Sequence, residues 1–275
     1  MENKNNRDFI GGKAVSIERL QENGFLVPQT SCLDTGFFIK HLKSNHILQE
    51  IIGLCELIDL NNCSEMSKIL KEKILEGEID YKSEEIIKQK IRGINNTFLA
   101  VRSSSVFEDS CRGSFAGMHD SFLNIPNNIE DVILSVKKCW ASLFNERAIV
   151  YKLSKGMMVF DQMAVILQEM IEPKYASVVY TVHPYQKDCM LIEIVSGLGE
   201  SLVEGRVTPN HYIINRNTFK IMNDGQRETK IHLNLLKKIS KNCLAIEKLF
   251  GFPQDIELCI SEENVYYLQA RPVNF

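Results

Sequence analysis

The chain has 275 residues, 44% of them hydrophobic and 24% charged, with a formal net charge of −3. That length can bury a large core without staples, and the near-neutral charge removes a global electrostatic case for nucleic acid or an anionic membrane as partner, so a polyanion would need a local site. No apolar run approaches the roughly 18 residues of a membrane span, and the opening MENKNNRDFIGGK lacks the apolar core of a signal peptide.

Residues 1–8 are polar and read as frayed. Ile10-Gly11-Gly12-Lys13 then opens a short helix with Val15, Ile17 and Leu20 apolar, and Gly24 stops it. Two glycines and a lysine at a helix start are either a phosphate-facing turn or a tight turn with a surface lysine. The full P-loop spacing is absent. An extended piece runs through Ser31–Leu33. Residues 36–95 carry the helical period, with Ile47, Leu48, Ile51, Ile52, Leu54 and Cys55 in one stripe and Met66, Ile69, Leu70 and Ile74 in another. These are scaffold, with solvated charged faces.

Phe98–Val101 reads as the end of a strand. It leads into AVRSSSVFEDSCRGSFAGMHDSFLN, residues 100–124, where small and charged residues crowd together. Arg forks match phosphate oxygens, and Gly and Ser let backbone N–H groups come close. The same composition also suits a solvated surface loop. Ser121–Ile125 reads as a strand, Pro126-Asn127-Asn128 as a turn and cap, and Ile129 to Leu153 as one amphipathic helix closed by Gly156. Arg147 on that helix reads as a paired structural arginine.

The second half changes character. Met163–Met170, Tyr175–Thr181, Cys189–Val195 and Val207–Asn215 are short strand-like runs punctuated by Pro173, Pro184 and Gly197. A helix over Leu233–Phe250 precedes a hairpin, Asp255–Ile260 with Asn264–Ala270. Strict alternation puts Asp255, Glu257 and Cys259 on one face of the first strand, and Val265, Tyr267, Gln269 and Arg271 together on the second. If the polar sets coincide, Glu257, Gln269 and Arg271 converge: a carboxylate and an amide oxygen for Mg²⁺, and a guanidinium for phosphates. An ordinary polar sheet face with a Glu–Arg pair fits the same pattern. The shift near Pro173 predicts a mixed N-terminal lobe over 1–172 and a sheet-based C-terminal lobe over 173–275, an α+β fold. The eight cysteines form no C-x-x-C pair and mostly lie in apolar or helical runs, as buried thiols of a reducing, cytoplasmic compartment do.

Taken in order, GGKAVSIERLQENGFLVPQT, AVRSSSVFEDSCRGSFAGMHDSFLN, WASLFNERAIVYKLSKGM, AVILQEMIEP, VVYTVHP, VSGLGESLVEG, PQDIELCI and VYYLQARPV resemble the ATP-binding domain of the pyruvate-phosphate dikinase and phosphoenolpyruvate synthase family. Rifampicin phosphotransferase shares this domain, and the resemblance covers nearly the whole chain. It implies an ATP-grasp-like fold of two lobes with the nucleotide cleft between them, ATP and Mg²⁺ as cofactors, and phosphotransferase activity. It assigns Lys13 and Arg102 to the triphosphate, Ser114 to Gly117 with Ser121 to a phosphate-covering loop, and Gln168, Met170 and Ile171 to the adenine pocket. Glu257 and Gln269 would ligate Mg²⁺ and Arg271 would contact phosphates, with Arg102, Glu257 and Arg271 as the catalytic set. Glu200, in GLGE, is a further candidate. Phosphoryl transfer of this kind rests on positioning and charge neutralisation.

The sequence departs from the family pattern at Ala176-Ser177-Val178, where Ser-Gly-Val is usual, at Thr181-Val182-His183-Pro184, where Thr-x-Asp-Pro is usual, and at Pro209-Asn210, where Pro-Asp is frequent. The family's full-length enzymes pass the phosphoryl group to a histidine in a mobile domain. None of His41, His46, His119, His183, His211 and His232 has the small-residue setting of that carrier. The expectation is a domain standing alone: a phosphoryl-donor subunit serving a histidine carrier on another chain, with AMP and phosphate as products. The alternatives are a free-standing kinase acting directly on a small molecule, and a non-catalytic nucleotide-binding module.

Overall fold

The computed structural model describes residues 4–106, 117–199, 202, 207–223, 231–262 and 264–273, with backbone alone for residues 4–8. The fold is α+β, in two compact units: residues 1–15 with 29–170, and residues 16–28 with 171–275.

In the first unit a four-stranded antiparallel sheet runs β1-β4-β2-β3, from Thr30–Leu33 (β1), Met163–Glu169 (β4), Phe98–Ser105 (β2) and Ser121–Pro126 (β3). Helices α2 (Thr35–Ser44), α3 (Leu48–Glu56), α4 (Cys63–Glu76), α5 (Tyr81–Arg92), α6 (Ile129–Ala141) and α7 (Glu146–Ser154) pack with it around one core. Leu99 and Val101 of β2 and Val165 and Leu167 of β4 meet Phe38, Leu70, Val136, Trp140 and Phe144 there. Asp34 and Asp80 cap α2 and α5 by accepting the N–H groups of Gly36 and Ser83. The helix expected over Ile129 to Leu153 is broken. A 3₁₀ turn covers Ser142–Phe144, and Asn145 is extended (φ −58°, ψ 137°). Its side chain donates to Asp120 Oδ2 (3.1 Å) and accepts from Lys71 Nζ (3.0 Å), tertiary contacts that the helical period does not report.

The strand β2 also runs four residues beyond the apolar stretch that marks it in the sequence. Arg102, Ser103, Ser104 and Ser105 stay in the ladder opposite Ile166, Val165, Ala164 and Met163. Ser104 and Ser105 fit this buried stretch because their hydroxyls find partners in Ile10 O and Asp161 Oδ2, whereas Ser103 Oγ is buried with no hydrogen-bond partner among the described residues.

His41 is buried against Trp140, ring centroids 5.1 Å apart. Its Nε2 lies 3.0 Å from Ile74 O and its Nδ1 3.4 Å from Asn45 Nδ2, which a neutral ring protonated on Nε2 satisfies. Burial pushes its pKa down, with the Ile74 carbonyl opposing in part. A histidine held neutral in the fold costs stability as pH falls through the unfolded-chain value, because the unfolded chain then takes up a proton that the folded one resists. Thermal melts from pH 7.5 to 5.5 should therefore show a falling Tm, and His41→Gln should flatten that slope. An unchanged slope in the variant would show that His41 does not carry it.

The second unit holds a six-stranded antiparallel sheet in the order β10-β9-β5-β6-β7-β8. Its strands are Tyr175–Tyr180 (β5), Cys189–Ser196 (β6), Asn210–Asn215 (β7), Ile221–Asn223 (β8), Gln254–Ser261 (β9) and Asn264–Pro272 (β10). Helix α8 (Leu233–Phe250) covers one face through Leu236, Ile239, Cys243 and Ile246, against Ile192, Ile256, Leu258 and Tyr267. Gly251, at φ +86°, ends it.

The division of the chain differs from the contiguous one expected. Residues 16–28 fall in the second unit, because Leu20, Phe25 and Val27 pack in its core. Polar ties support that placement: Ser16 Oγ donates to Ala270 O (2.6 Å), Arg19 Nη2 to Leu249 O (2.7 Å) and Tyr267 N to Leu26 O (2.8 Å). Helix α1 (Lys4–Glu22) starts well before the Gly-Gly-Lys turn and kinks at Gly11. The seven described cysteines are free thiols, all buried except the half-buried Cys32. Among the described residues no helix is long and apolar enough to cross a membrane.

Candidate functional site

In the first unit the chemistry gathers on the face of the sheet opposite its hydrophobic core. Register places Thr30 opposite Gln168, Ala100 opposite Gln168 on the other side, and Arg102 opposite Ser121. Arg102 Nη1 donates to Gln168 Oε1 (3.3 Å), and Gln168 Nε2 donates to Thr30 Oγ1 (3.0 Å). Gln168 is almost fully buried, so its amide fixes the direction of the half-buried Arg102 side chain.

Ser104, on the same face, holds the Gly-Gly-Lys turn. Its Oγ donates to Ile10 O (2.7 Å) and accepts from Ala14 N (3.2 Å). That hydroxyl does for the second half of α1 what an N-cap does, satisfying an orphan N–H of a helix start from a neighbouring strand. The approach is close enough that a Cβ on Gly11 would lie 2.3 Å from Ser104 O. Gly11 itself sits at φ +75°, ψ 169°, a region only glycine occupies freely. Lys13, one residue before Ala14, is buried, and its charge acts on the buried Cys139 thiol, whose pKa burial raises and Lys13 opposes. Lys13 is therefore no solvated surface lysine.

Gly117 lies in a turn at φ +68°. Ser114 and Ala116, like Glu200, lie outside the described residues. His119 faces inward: it is buried, with Nδ1 3.3 Å from Ser142 O. Arg147 pairs with Asp120 at 2.5 Å and donates from Nε to Met118 O, which makes it the anchor of the turn after Gly117. Met170, the last residue of the first unit, is half-buried. Its N–H donates to Phe98 O, and its carbonyl accepts from Asn96 Nδ2. Ile171, also half-buried, is counted with the second unit.

In the second unit the hairpin β9–β10 brings its polar residues together, but not by strict alternation. Glu257 pairs with Gln269 and Asp255 with Arg271, while a bulge between Tyr267 and Gln269 shifts the register. Val265 and Tyr267 consequently point with Leu258 and Ile260 into the core under α8, rather than sharing a face with Gln269 and Arg271 as alternation predicted. One extra residue in a strand reverses the side on which all later residues point.

Arg271 is held by Asp255, with Nε at 2.9 Å and Nη2 at 2.8 Å from the same Oδ2. Burial raises the pKa of Asp255 and Arg271 lowers it; the net shift is upward. Its Oδ1 is buried with no hydrogen-bond partner among the described residues. Glu193, reached from Glu257 across Val178 of β5, is likewise raised by burial, with His211 opposing and Asp255 adding to the rise. Two carboxylates that resist ionisation beside Glu257 make a region where positive charge is welcome. Among the described residues no three His, Cys, Asp or Glu side chains are grouped to enclose a metal. The donor set fits Mg²⁺, which is held by one or two protein oxygens and completes its shell from water and phosphate.

Two of these residues have roles that sequence reading did not assign. Asp255 was already on the polar face by alternation, but its tie to Arg271 depends on the strand register. Ser104 was lost in a run of serines that resembles a loop. His183 stands where the family pattern has Asp, and its Nδ1 accepts the N–H groups of Tyr185 (3.1 Å) and Gln186 (3.2 Å). A carboxylate would make the same turn, so this departure keeps the local geometry.

Residues 7–236 match the pyruvate phosphate dikinase, AMP/ATP-binding domain family. The chain belongs to that family. Among curated relatives of this dikinase-domain chain, a probable phosphoenolpyruvate synthase from Methanothermobacter thermautotrophicus is 31% identical over 98% of this chain and 44% of its own length. Rifampicin phosphotransferase from Bacillus cereus is 29% identical over 96% of this chain and 34% of its own. Phosphoenolpyruvate synthase from Pyrococcus furiosus is 27% identical over 98% and 42%. The dikinase-domain chain thus spans less than half the length of these relatives. Among solved structures, D-alanine-D-alanine ligase from Coxiella burnetii is 8% identical over 94% of this chain and 47% of that one, with a TM-score of 0.41, a likeness too distant to bear on function.

Proposed function

We propose that this chain binds ATP with Mg²⁺ and acts as the phosphoryl donor of a dikinase-type phosphotransferase, the first acceptor being a histidine on a carrier that is not among its own six. Family membership supports nucleotide binding. The observation that carries the reading further is the pairing of Glu257 with Gln269 and of Asp255 with Arg271 on one polar sheet face. That face offers oxygens for a cation next to a guanidinium already aimed by a buried carboxylate. In the first unit Arg102, Ser121, Lys13 and the N–H groups of the Gly11-Gly12 turn form a second phosphate-binding set. Gly117 and Ser114 belong to the loop over the phosphates, and Gln168, Met170 and Ile171 to the adenine contacts. Gln168 does this while orienting Arg102.

Bound Mg²⁺ would neutralise charge on the phosphate oxygens. The chain's own residues bind and orient: a guanidinium in each unit, and the Lys13 ammonium in the first, would bind phosphate oxygens and offset the charge that develops on them. No covalent nucleophile is required of the chain itself. His119, turned onto Ser142, serves the turn after Gly117 and not the transfer.

Product analysis tests this. With ATP, Mg²⁺ and a histidine-carrier domain from a phosphoenolpyruvate synthase, the expected products are AMP, phosphate and a phosphorylated carrier. ADP formed with a small acceptor and no carrier would replace the reading with a direct kinase. Absence of ATP binding at millimolar Mg²⁺ would overturn both.

A further inference from the structure

Behind the first unit's polar face lies a buried charged group that the phosphate chemistry does not use. Lys152, on α7, is fully buried, and its Nζ donates to Val159 O (3.0 Å) and lies 3.6 Å from Asp161 Oδ2. Asp161, two residues before β4, accepts from Ser105 Oγ (3.0 Å) on Oδ2 and from Gln162 N (2.6 Å) on Oδ1. Among the described residues Cys55 is the other titratable group acting on Lys152, and burial pushes its thiol up to about 12, so it stays neutral.

Such a pair is a poor way to hold a core together. Taking both charges out of water costs about as much as their attraction returns, and an apolar pair of similar volume is often as stable or more so. What the pair does provide is direction. Ser105 is the last residue of β2 and pairs with Met163 at the start of β4. Asp161 therefore pins the end of the ladder through a side chain on the opposite face from Arg102 and Ser104. One residue back Ser104 grips the Lys13 turn, and three residues back Arg102 meets Gln168 and Ser121.

We infer that Asp161, held by Lys152, is a positioning residue that fixes the end of β2 through Ser105, and so sets Arg102 and the Ser104 grip for binding of the triphosphate. This rests on the nucleotide reading given above. A purely structural pair would affect stability alone.

The test replaces both charges, Lys152→Met with Asp161→Leu, and adds Ser105→Ala, which removes only the hydroxyl contact. Three quantities are read: Tm, the affinities for ATP and for adenosine, and backbone hydrogen exchange at residues 103–105 without ligand. The double variant should keep or raise Tm, lose about tenfold in ATP affinity while adenosine stays within about twofold, and exchange those amides at least several times faster. Ser105→Ala should show a smaller loss in the same direction. Unchanged ATP-to-adenosine ratios in either folded variant overturn the inference; if the double variant does not fold, Ser105→Ala decides. If wild-type protein fails to bind ATP, the nucleotide reading falls, and the exchange measurement judges the positioning role by itself: equal protection at 103–105 overturns it.

Discussion

Arg271→Ala should weaken ATP binding by roughly 30- to 150-fold while adenosine affinity changes by less than about twofold. The magnitude follows from a charge-assisted contact worth about 2–3 kcal/mol. The asymmetry follows from chemistry: a guanidinium recognises phosphate oxygens and has nothing to offer the nucleoside. The Asp255 tie makes the prediction specific. Arg271 is already aimed before any ligand arrives, because Nε donates to Asp255 Oδ2 and Nη2 lies 2.8 Å from the same carboxylate oxygen. Removing it leaves Asp255 buried beside Glu257 without a counter-charge, so the variant should also melt lower. Adding Asp255→Asn to Arg271→Ala should recover much of that stability and none of the ATP affinity. Arg271→Lys should fall between, since an ammonium keeps the charge and loses the fork. Isothermal titration with both ligands checks this. Equal losses for ATP and adenosine would show that Arg271 serves the sheet and not the phosphates.

Gly11→Ala should be the most damaging single-methyl change in the described part of the chain. Two costs coincide at this position. The backbone is at φ +75°, ψ 169°, which a side chain tolerates only at about 1–3 kcal/mol. The new Cβ would also lie 2.3 Å from Ser104 O and 2.5 Å from its Oγ, so the turn must leave the strand. A loss of roughly 3 kcal/mol or more corresponds to a Tm lower by about 6–12 °C. Gly24→Ala is the control: its φ is +78°, but nothing lies within 4 Å of the added carbon, so it should cost only the conformational part, about 1 kcal/mol. Equal melting of the two variants would mean that the Ser104 contact is not rigid. Gly11→Ala should also reduce ATP affinity in whatever fraction folds, because Lys13 and the N–H of Ala14 take their places from that contact.

Most elements are legible in the chain because their signals are local. Helical stripes, the turn and cap at Pro126-Asn127-Asn128 and the punctuation at Gly24 and Gly156 depend on neighbours within a few residues. The β-branched runs that became β4, β5, β6 and β7 are of the same kind. The family pattern likewise identifies Lys13, Arg102, Gln168, Glu257, Gln269 and Arg271 as the residues to follow, since each lies in a short run of its own.

The rest depended on contacts between distant segments, which no local pattern carries. The helix over Ile129 to Leu153 breaks at Asn145 because Lys71 and Asp120, far off in sequence, take its side chain. Arg102 to Ser105 continue β2 because β4 supplies their partners, although three serines in a row look like a loop. Residues 16–28 join the second unit through Leu20, Phe25 and Val27, whose apolar character says that they are buried but not in which core. The bulge before Gln269 is the sharpest case. Composition shows that Glu257, Gln269 and Arg271 are polar strand residues. Only the register, shifted by one residue at Leu268, puts Tyr267 into the core and leaves Gln269 opposite Glu257 and Arg271 opposite Asp255.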